Sequence, residues 1–391
     1  MKRQLSFLLL LLWKCNTILG QEKLIWPFYT NAESTIDIYN DLVFSARDNN
    51  EEINDLFLEA KFNFYTYFTN SIYLYNSFNI EAVKDPEYGK SNYFGNIGLF
   101  WNNLNLNFEN DRILIGVGRG SPHFSIGYAV GPGIWGSDDS FENLKTGGKW
   151  GIVVAPNFSL GSFGSMSINV GLFTADNSTL SDSYITRRGI FYREYGGPSN
   201  TGKLDSYSIS ISGSSIPKTP NLYYHFGYMN QKVVGLNPDL SNPISKDSLD
   251  NEQRFVAAAF YTFEISEETN LIPFIEYGHI VNSLGIIDNE KTVFTSSLEY
   301  NINNWSHSIS YSNVNSSLFD SYYNISYSAG YTFNSGMEVS AGYKYSNNSS
   351  HDYTNMLGAS FSYAMSGRNS ILLGSDFAAL NHKKQLIFIR R

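Results

Sequence analysis

The chain has 391 residues, 27 Lys and Arg against 36 Asp and Glu, a formal net charge of −9 and one cysteine. An acidic chain is not built to neutralise phosphates, which excludes a nucleic-acid binder, and a lone cysteine excludes disulfides and zinc–thiolate sites. Aromatic residues reach 16% and charged residues only 16%, against about 25% charged in soluble domains, while a mean hydropathy of −0.24 is too polar for a bundle of membrane helices.

Residues 1–20 read as an export signal, with Lys2 and Arg3 before the short apolar run Leu5 to Trp13 and a cut after Leu19-Gly20. A run that short cannot span about 30 Å of hydrocarbon, so it is not an anchor. Cys15 lies inside this segment and would leave with it. Loss of Lys2, Arg3 and Lys14 lowers Lys and Arg from 27 to 24 against 36 acids, moving the net charge from −9 to −12. Residues 21–34 read as an N-terminal periplasmic segment.

From Thr35 to Ser366 the dominant signal is alternation with period two, the mark of strands whose two faces differ. Leu58, Ala60, Phe62, Phe64 and Phe68 alternate with Glu59, Lys61 and Asn63. Ile72, Leu74, Phe78 and Ile80 alternate with Tyr73, Tyr75, Ser77, Asn79 and Glu81. Near the end, Tyr323, Ile325, Tyr327, Ala329, Tyr331 and Phe333 alternate with Asn324, Ser326, Ser328, Gly330 and Thr332. A soluble sandwich alternates too, but the links discriminate. Short links such as Thr69-Asn70, Glu109 to Asp111, Asn303-Asn304 and Asn334 to Gly336 alternate with long polar ones at 84–94, 118–143, 175–205, 235–251, 284–290, 315–320 and 346–352. Tight turns on one side and long loops on the other define an all-β, transmembrane antiparallel β-barrel. The count is about sixteen strands, with both ends on the periplasmic side, as an even barrel demands. Residues 367–391 form either a C-terminal tail or a further hairpin, from Ser370 to Phe377 and Gln385 to Ile389, which makes eighteen possible. Aromatic strand ends fit girdles at the two membrane interfaces.

Charges inside strands belong on the wet face, because Arg or Lys on the lipid face costs about 2–4 kcal/mol at midplane. Glu59, Lys61, Glu81, Arg254, Glu264, Glu276, Glu299, Glu338 and Lys344 are therefore candidate pore-lining residues, and their acidic excess predicts mild cation preference. His123, His225, His279, His307, His351 and His382 are scattered without metal-ligand spacing. No nucleophile elbow, phosphate loop or dinucleotide fingerprint is present. No catalytic residue, metal or cofactor is expected.

The stretch Arg119 to Asp138, RGSPHFSIGYAVGPGIWGSD, and the later Gly196 to Gly202, GGPSNTG, resemble segments of a porin-like outer-membrane β-barrel family of alphaproteobacteria. The likeness is clearest over residues 95–215. It implies a Gram-negative outer membrane, with membrane lipid and lipopolysaccharide as neighbours and small hydrophilic solutes as cargo. Sixteen-stranded general porins fold one early loop inward to narrow the pore. By that likeness the glycine-rich link 118–143 is a candidate constriction loop, with Arg119, Asp138, Asp139 and Glu142 on it. Arg187, Arg188 and Arg193 of link 175–205 would supply a facing basic row. The competing reading is that both links are solvated surface loops, whose arginines pair locally or meet lipopolysaccharide phosphates. The likeness leaves a homotrimer open. The expectation is a passive diffusion channel, the alternative a non-conducting surface barrel acting as adhesin or structural protein.

Overall fold

The alternation resolves into sixteen antiparallel strands closed into one ring. The computed structural model describes residue 25 and residues 28–235, 248–350, 352–370 and 375–376. The expected signal segment 1–20, most of link 235–251, His351, His382 and nearly all of the tail beyond Ser370 lie outside the described residues.

In chain order the wall strands are β1 (Tyr29–Ala46), β2 (Asn54–Tyr67), β3 (Ile72–Ala82), β4 (Ile97–Glu109), β5 (Ile113–Gly120), β6 (Lys149–Ser159), β7 (Ser165–Ala175) and β8 (Ser206–Ser214). They continue as β9 (Leu222–Gln231), β10 (Glu252–Tyr261, extended by Phe263–Ser266), β11 (Thr269–Val281), β12 (Lys291–Ile302), β13 (Trp305–Ser316), β14 (Tyr322–Thr332), β15 (Met337–Asn348) and β16 (Tyr353–Ser370). Each pairs with its sequence neighbour, and β16 returns to β1 from Tyr29↔Ser370 to Ala46↔Thr354. The ring thus closes at sixteen rather than eighteen. Of the expected extra hairpin, Ser375–Asp376 is described and pairs Arg368 and Asn369 outside the ring.

Two boundaries differ from expectation. β1 begins at Tyr29 rather than Thr35, and β16 continues past Ser366. Residues 29–34 carry no apolar row, yet they pair on both sides, with β2 and with β16. Backbone pairing extends the wall here beyond its apolar band.

Side-chain placement follows the pleat. Ile209, Phe226, Phe255, Ile275, Leu298, Ile309, Ile325, Val339 and Leu357 are exposed on the outer face, while the alternate positions Ser208, Ser210, Ser310, Ser326 and Ser340 are buried. An exposed apolar outside and a polar inside invert a soluble protein and match a barrel bathed in lipid. Among the described residues no helix is long and apolar enough to cross a membrane.

Candidate constriction site

After Gly120 the chain leaves the wall and runs through the lumen until β6 starts at Lys149. This segment carries two short helices, α1 (Gly127–Val130) and α2 (Asp138–Leu144). Phe124 and Leu144 pack with the inward-facing Met229, Val256, Ile280, Val293 and Val314. Ile126 packs with Ala258 and Phe274. These contacts place the loop inside the barrel against β9 to β13.

Polar contacts hold it at intervals along the wall. The Glu276 carboxylate on β11 accepts from Ser125 Oγ at 2.9 Å, Ile126 N–H at 3.1 Å and Gly127 N–H at 3.0 Å. A Cβ on Gly127 would stand 2.2 Å from Glu276 Oε1, so only glycine admits this approach. His225 on β9 donates from Nε2 to the Phe124 carbonyl at 2.6 Å and accepts from Ser212 Oγ at 2.8 Å. Burial, with His225 beside it, pushes His123 down to about 4, so its ring is neutral near pH 7. Asp139 accepts from Ser312 on β13 and, at 2.8 Å, from Asn324 on β14. Lys344 on β15 pairs with Asp138 at 3.2 Å. Trp135 donates to Asp41 on β1 at 3.2 Å, and its ring lies where Cβ atoms on Gly342 and Gly358 would stand.

On the side of the lumen bounded by β1 to β3, Glu59 and Lys61 stay exposed. Register aligns Asp37 with Glu59 across β1 and β2. Glu59 lies within electrostatic reach of Asp37, Glu81, Asp138 and Lys145. Lys145, just after α2, is held down to about 8 by burial, offset in part by Glu81 and Glu59 and reinforced by Lys61. Its ammonium also lies 3.7 Å from the Phe141 ring centroid. Burial raises Asp138 to about 6, against the pull of Lys344. Burial likewise raises Glu142, helped by Asp139 and Asp138. Carboxylates thus dominate the gap between loop and wall, with Lys61 and Lys145 as the facing cations. Beside it, Glu51, Asp138, Asp139, Glu142, Lys344 and Asp352 help to line a cavity of about 340 Å³.

The expected residues fall into three groups. Glu59, Lys61 and Glu81 lie on the β1 to β3 side. Glu264, Glu299 and Glu338 share inward register with Asn270, Ser308 and Ser362, toward the short-turn end. Glu276, Arg254 and Lys344 face inward but hold the loop. Glu276 is 1% exposed, and Arg254 donates to the Asn143 carbonyl at 3.2 Å. Sequence parity pointed these three at water; the loop covers them instead.

Among the expected constriction residues, Asp138, Asp139 and Glu142 all border the cavity beside the gap, Asp139 at the same time as a buried anchor. Arg119 is not on the rim. It is 5% exposed, pairs with Asp176 and donates to the carbonyls of Trp101 and Asn102. The pairing of β4 with β5 reaches only Leu104↔Arg119, so where the loop departs, β4 loses its neighbour. Arg119 fills that seam, together with Tyr184, whose backbone N–H donates to the Leu99 carbonyl at 2.9 Å. The facing basic row is not assembled either. Arg187 pairs with Asp182 of its own loop at 3.3 Å. Arg188 donates to the Ser181 carbonyl and lies 4.6 Å from the Phe100 ring. Arg193 opens a helical turn next to Gly202. Asp37 and Lys145 were missed: alternation around Ile36 and Ile38 marked the first, but no period marks a residue after an in-folded helix. Among the described residues no cluster of His, Cys, Asp and Glu has the makings of a metal site.

No protein-family model matches the sequence, and no curated protein matches it. Solved structures do. A loop-L8 deletion mutant of OmpT, an outer-membrane protein of Vibrio cholerae, aligns at 10% identity over 87% of this chain and all of its own, with a TM-score of 0.55. OmpF of Salmonella typhi, solved with daunomycin, aligns at 12% identity over 86% of this chain and 97% of its own, TM-score 0.52. The outer-membrane protein OpdK of Pseudomonas aeruginosa aligns at 8% identity over 86% and 99%, TM-score 0.50. At such identities the likeness is one of architecture: the closed sixteen-stranded barrel of this chain resembles the fold of these outer-membrane proteins.

Proposed function

We propose that this chain is a porin-type channel of the Gram-negative outer membrane that passes small hydrophilic solutes and ions by diffusion, with a preference for cations. The observation that supports it most is the in-folded loop 121–148. A barrel meant only as an outer scaffold gains nothing from lodging a loop in its lumen and leaving a polar gap beside it. Carboxylates bordering that gap favour cations, as charged rings do in other pores. Export through residues 1–20, kinship with the alphaproteobacterial porin-like family, and packing against lipopolysaccharide belong to the same reading. No residue of the gap is given a catalytic role.

Planar-bilayer recording of the purified barrel tests this. Discrete conductance steps are expected, with a reversal potential of cationic sign across a salt gradient. A heat-modifiable, inserted barrel that never conducts would overturn the channel. Steps with an anionic reversal potential would overturn the selectivity alone.

A further inference from the structure

Below the constriction, the inner face of β1 to β3 changes character. Register pairs Asn31 with Tyr65 and Tyr29 with Tyr67, then Tyr65 with Tyr75 and Tyr67 with Tyr73. These positions share the parity of Glu59 and of Asp41, which touches Trp135 in the lumen. Five tyrosines therefore stand on the inner wall, where a membrane girdle has no use for them, since girdle rings point outward. Tyr65 and Tyr75 stack at 4.8 Å, Tyr29 and Tyr67 at 4.9 Å, and Tyr67 and Tyr73 meet at 5.2 Å. All five are only partly buried.

Two of their hydroxyls are turned toward acceptors. Tyr73 donates to Glu109 at 2.6 Å and Tyr75 to Asn63 at 2.9 Å. Glu33 lies within electrostatic reach of Tyr65, Tyr67 and Tyr75, and Glu109 of Tyr67 and Tyr73. A phenol that donates to a carboxylate has a more electron-rich ring. Ring faces bordered by carboxylates attract cations within about 6 Å of a centroid, tyrosine among the better platforms. Tyr65 lies six residues beyond Glu59 on the same face of β2, about 20 Å along the strand. A solute that clears the acidic gap therefore next meets this row.

We infer that the tyrosine row Tyr75, Tyr65, Tyr73, Tyr67 and Tyr29 is a transit site for organic cations, solutes carrying a substituted ammonium group. This rests on the channel reading and adds to it a solute class. Inorganic cations keep their water and gain little from ring faces; alkylammonium groups are weakly hydrated and gain more.

The test uses the folded full-length barrel in detergent, with tetraethylammonium as the cationic probe and maltotriose as the neutral one. Saturation-transfer NMR reads binding independently of conduction. Tetraethylammonium binding is expected, weakened about fivefold by Tyr65→Leu through loss of one ring platform, and retained by Tyr65→Phe. Tyr75→Leu carries the same test if Tyr65→Leu does not give a heat-modifiable barrel. Binding of maltotriose without tetraethylammonium, or tetraethylammonium binding indifferent to both leucine variants, overturns the inference. Ring-dependent binding by a barrel that passes no current supports the site and overturns the channel, so the two readings fail separately.

Discussion

The two sides of the lumen follow opposite rules. From β8 to β15 the inner face is largely serines, glycines and apolar residues, and a loop lies against it, bound by the charged side chains of Arg254, Glu276 and Lys344. From β1 to β3 the inner face carries Asp37, Glu59, Lys61, Glu81 and a row of tyrosines, of which Glu59 and Lys61 stay exposed, and the loop touches it at Asp41. Small side chains let the loop approach the wall, and those three long charged ones hold it; on the other side Glu59 and Lys61 stay exposed. The difference shows that the loop's side is written into the wall, not into the loop alone.

The contrast is broken most severely at Glu276. Glu276→Ala leaves Ser125 Oγ and the N–H groups of Ile126 and Gly127 without their acceptor. Each unsatisfied buried group costs about 1–3 kcal/mol, so the loop is expected to come free. Larger, noisier current steps and a lower heat-modification temperature would show it; unchanged steps would mean that Asp139 and Trp135 suffice. Next comes Gly358→Ala, whose Cβ would stand 2.2 Å from the Trp135 ring. Overpacking of this kind costs about 1–3 kcal/mol, and a tilted loop should alter conductance without abolishing insertion.

On the β1 to β3 side, Glu59→Gln with Glu81→Gln should move the reversal potential toward zero. Each charge is worth about 1 kcal/mol to an ion ~4 Å away in water. Barrel stability should barely change, because neither side chain holds the loop. A smaller effect is expected from pH. Asp138, raised to about 6, is protonated below that value, so cation preference should fall as pH drops through 6. Lys145, lowered to about 8, loses its charge above it, so preference should climb again as pH rises through 8. Reversal potentials between pH 5 and 9 would trace both steps. Smallest of all is Arg187→Ala, which removes an ion pair whose arginine side chain is 76% exposed. Such pairs contribute about 0–1 kcal/mol, and neither selectivity nor conductance should move.

Much of this was legible in the order of residues. Period two gave the strands, and alternating link lengths gave the barrel with its sixteen members. Parity put Glu59 and Glu81 on the inner face, where register places them. The same parity pointed Glu276 at water, because a face is a property of the strand whereas cover is supplied by a loop more than a hundred residues away. Arg119 was misread for a related reason. It was expected as part of the constriction loop, whereas it stands at the end of β5 and caps carbonyls that lose a strand partner once the loop turns inward. The strand at Tyr29–Ser34 was hidden because Tyr29, Thr30, Asn31, Ala32, Glu33 and Ser34 form no apolar row, although they pair on both sides.

The seam at Arg119 also has a mechanical meaning. Elsewhere neighbouring strands are joined by ladders of main-chain hydrogen bonds that share any load along their length. Along the β5 side of β4 that ladder stops at Leu104↔Arg119: the carbonyls of Trp101 and Asn102 hang on one guanidinium, itself tethered to Asp176, and Leu99 is met by the loop residues Ser183 and Tyr184. Pulled apart sideways, the cylinder would rip there first, one stitch at a time.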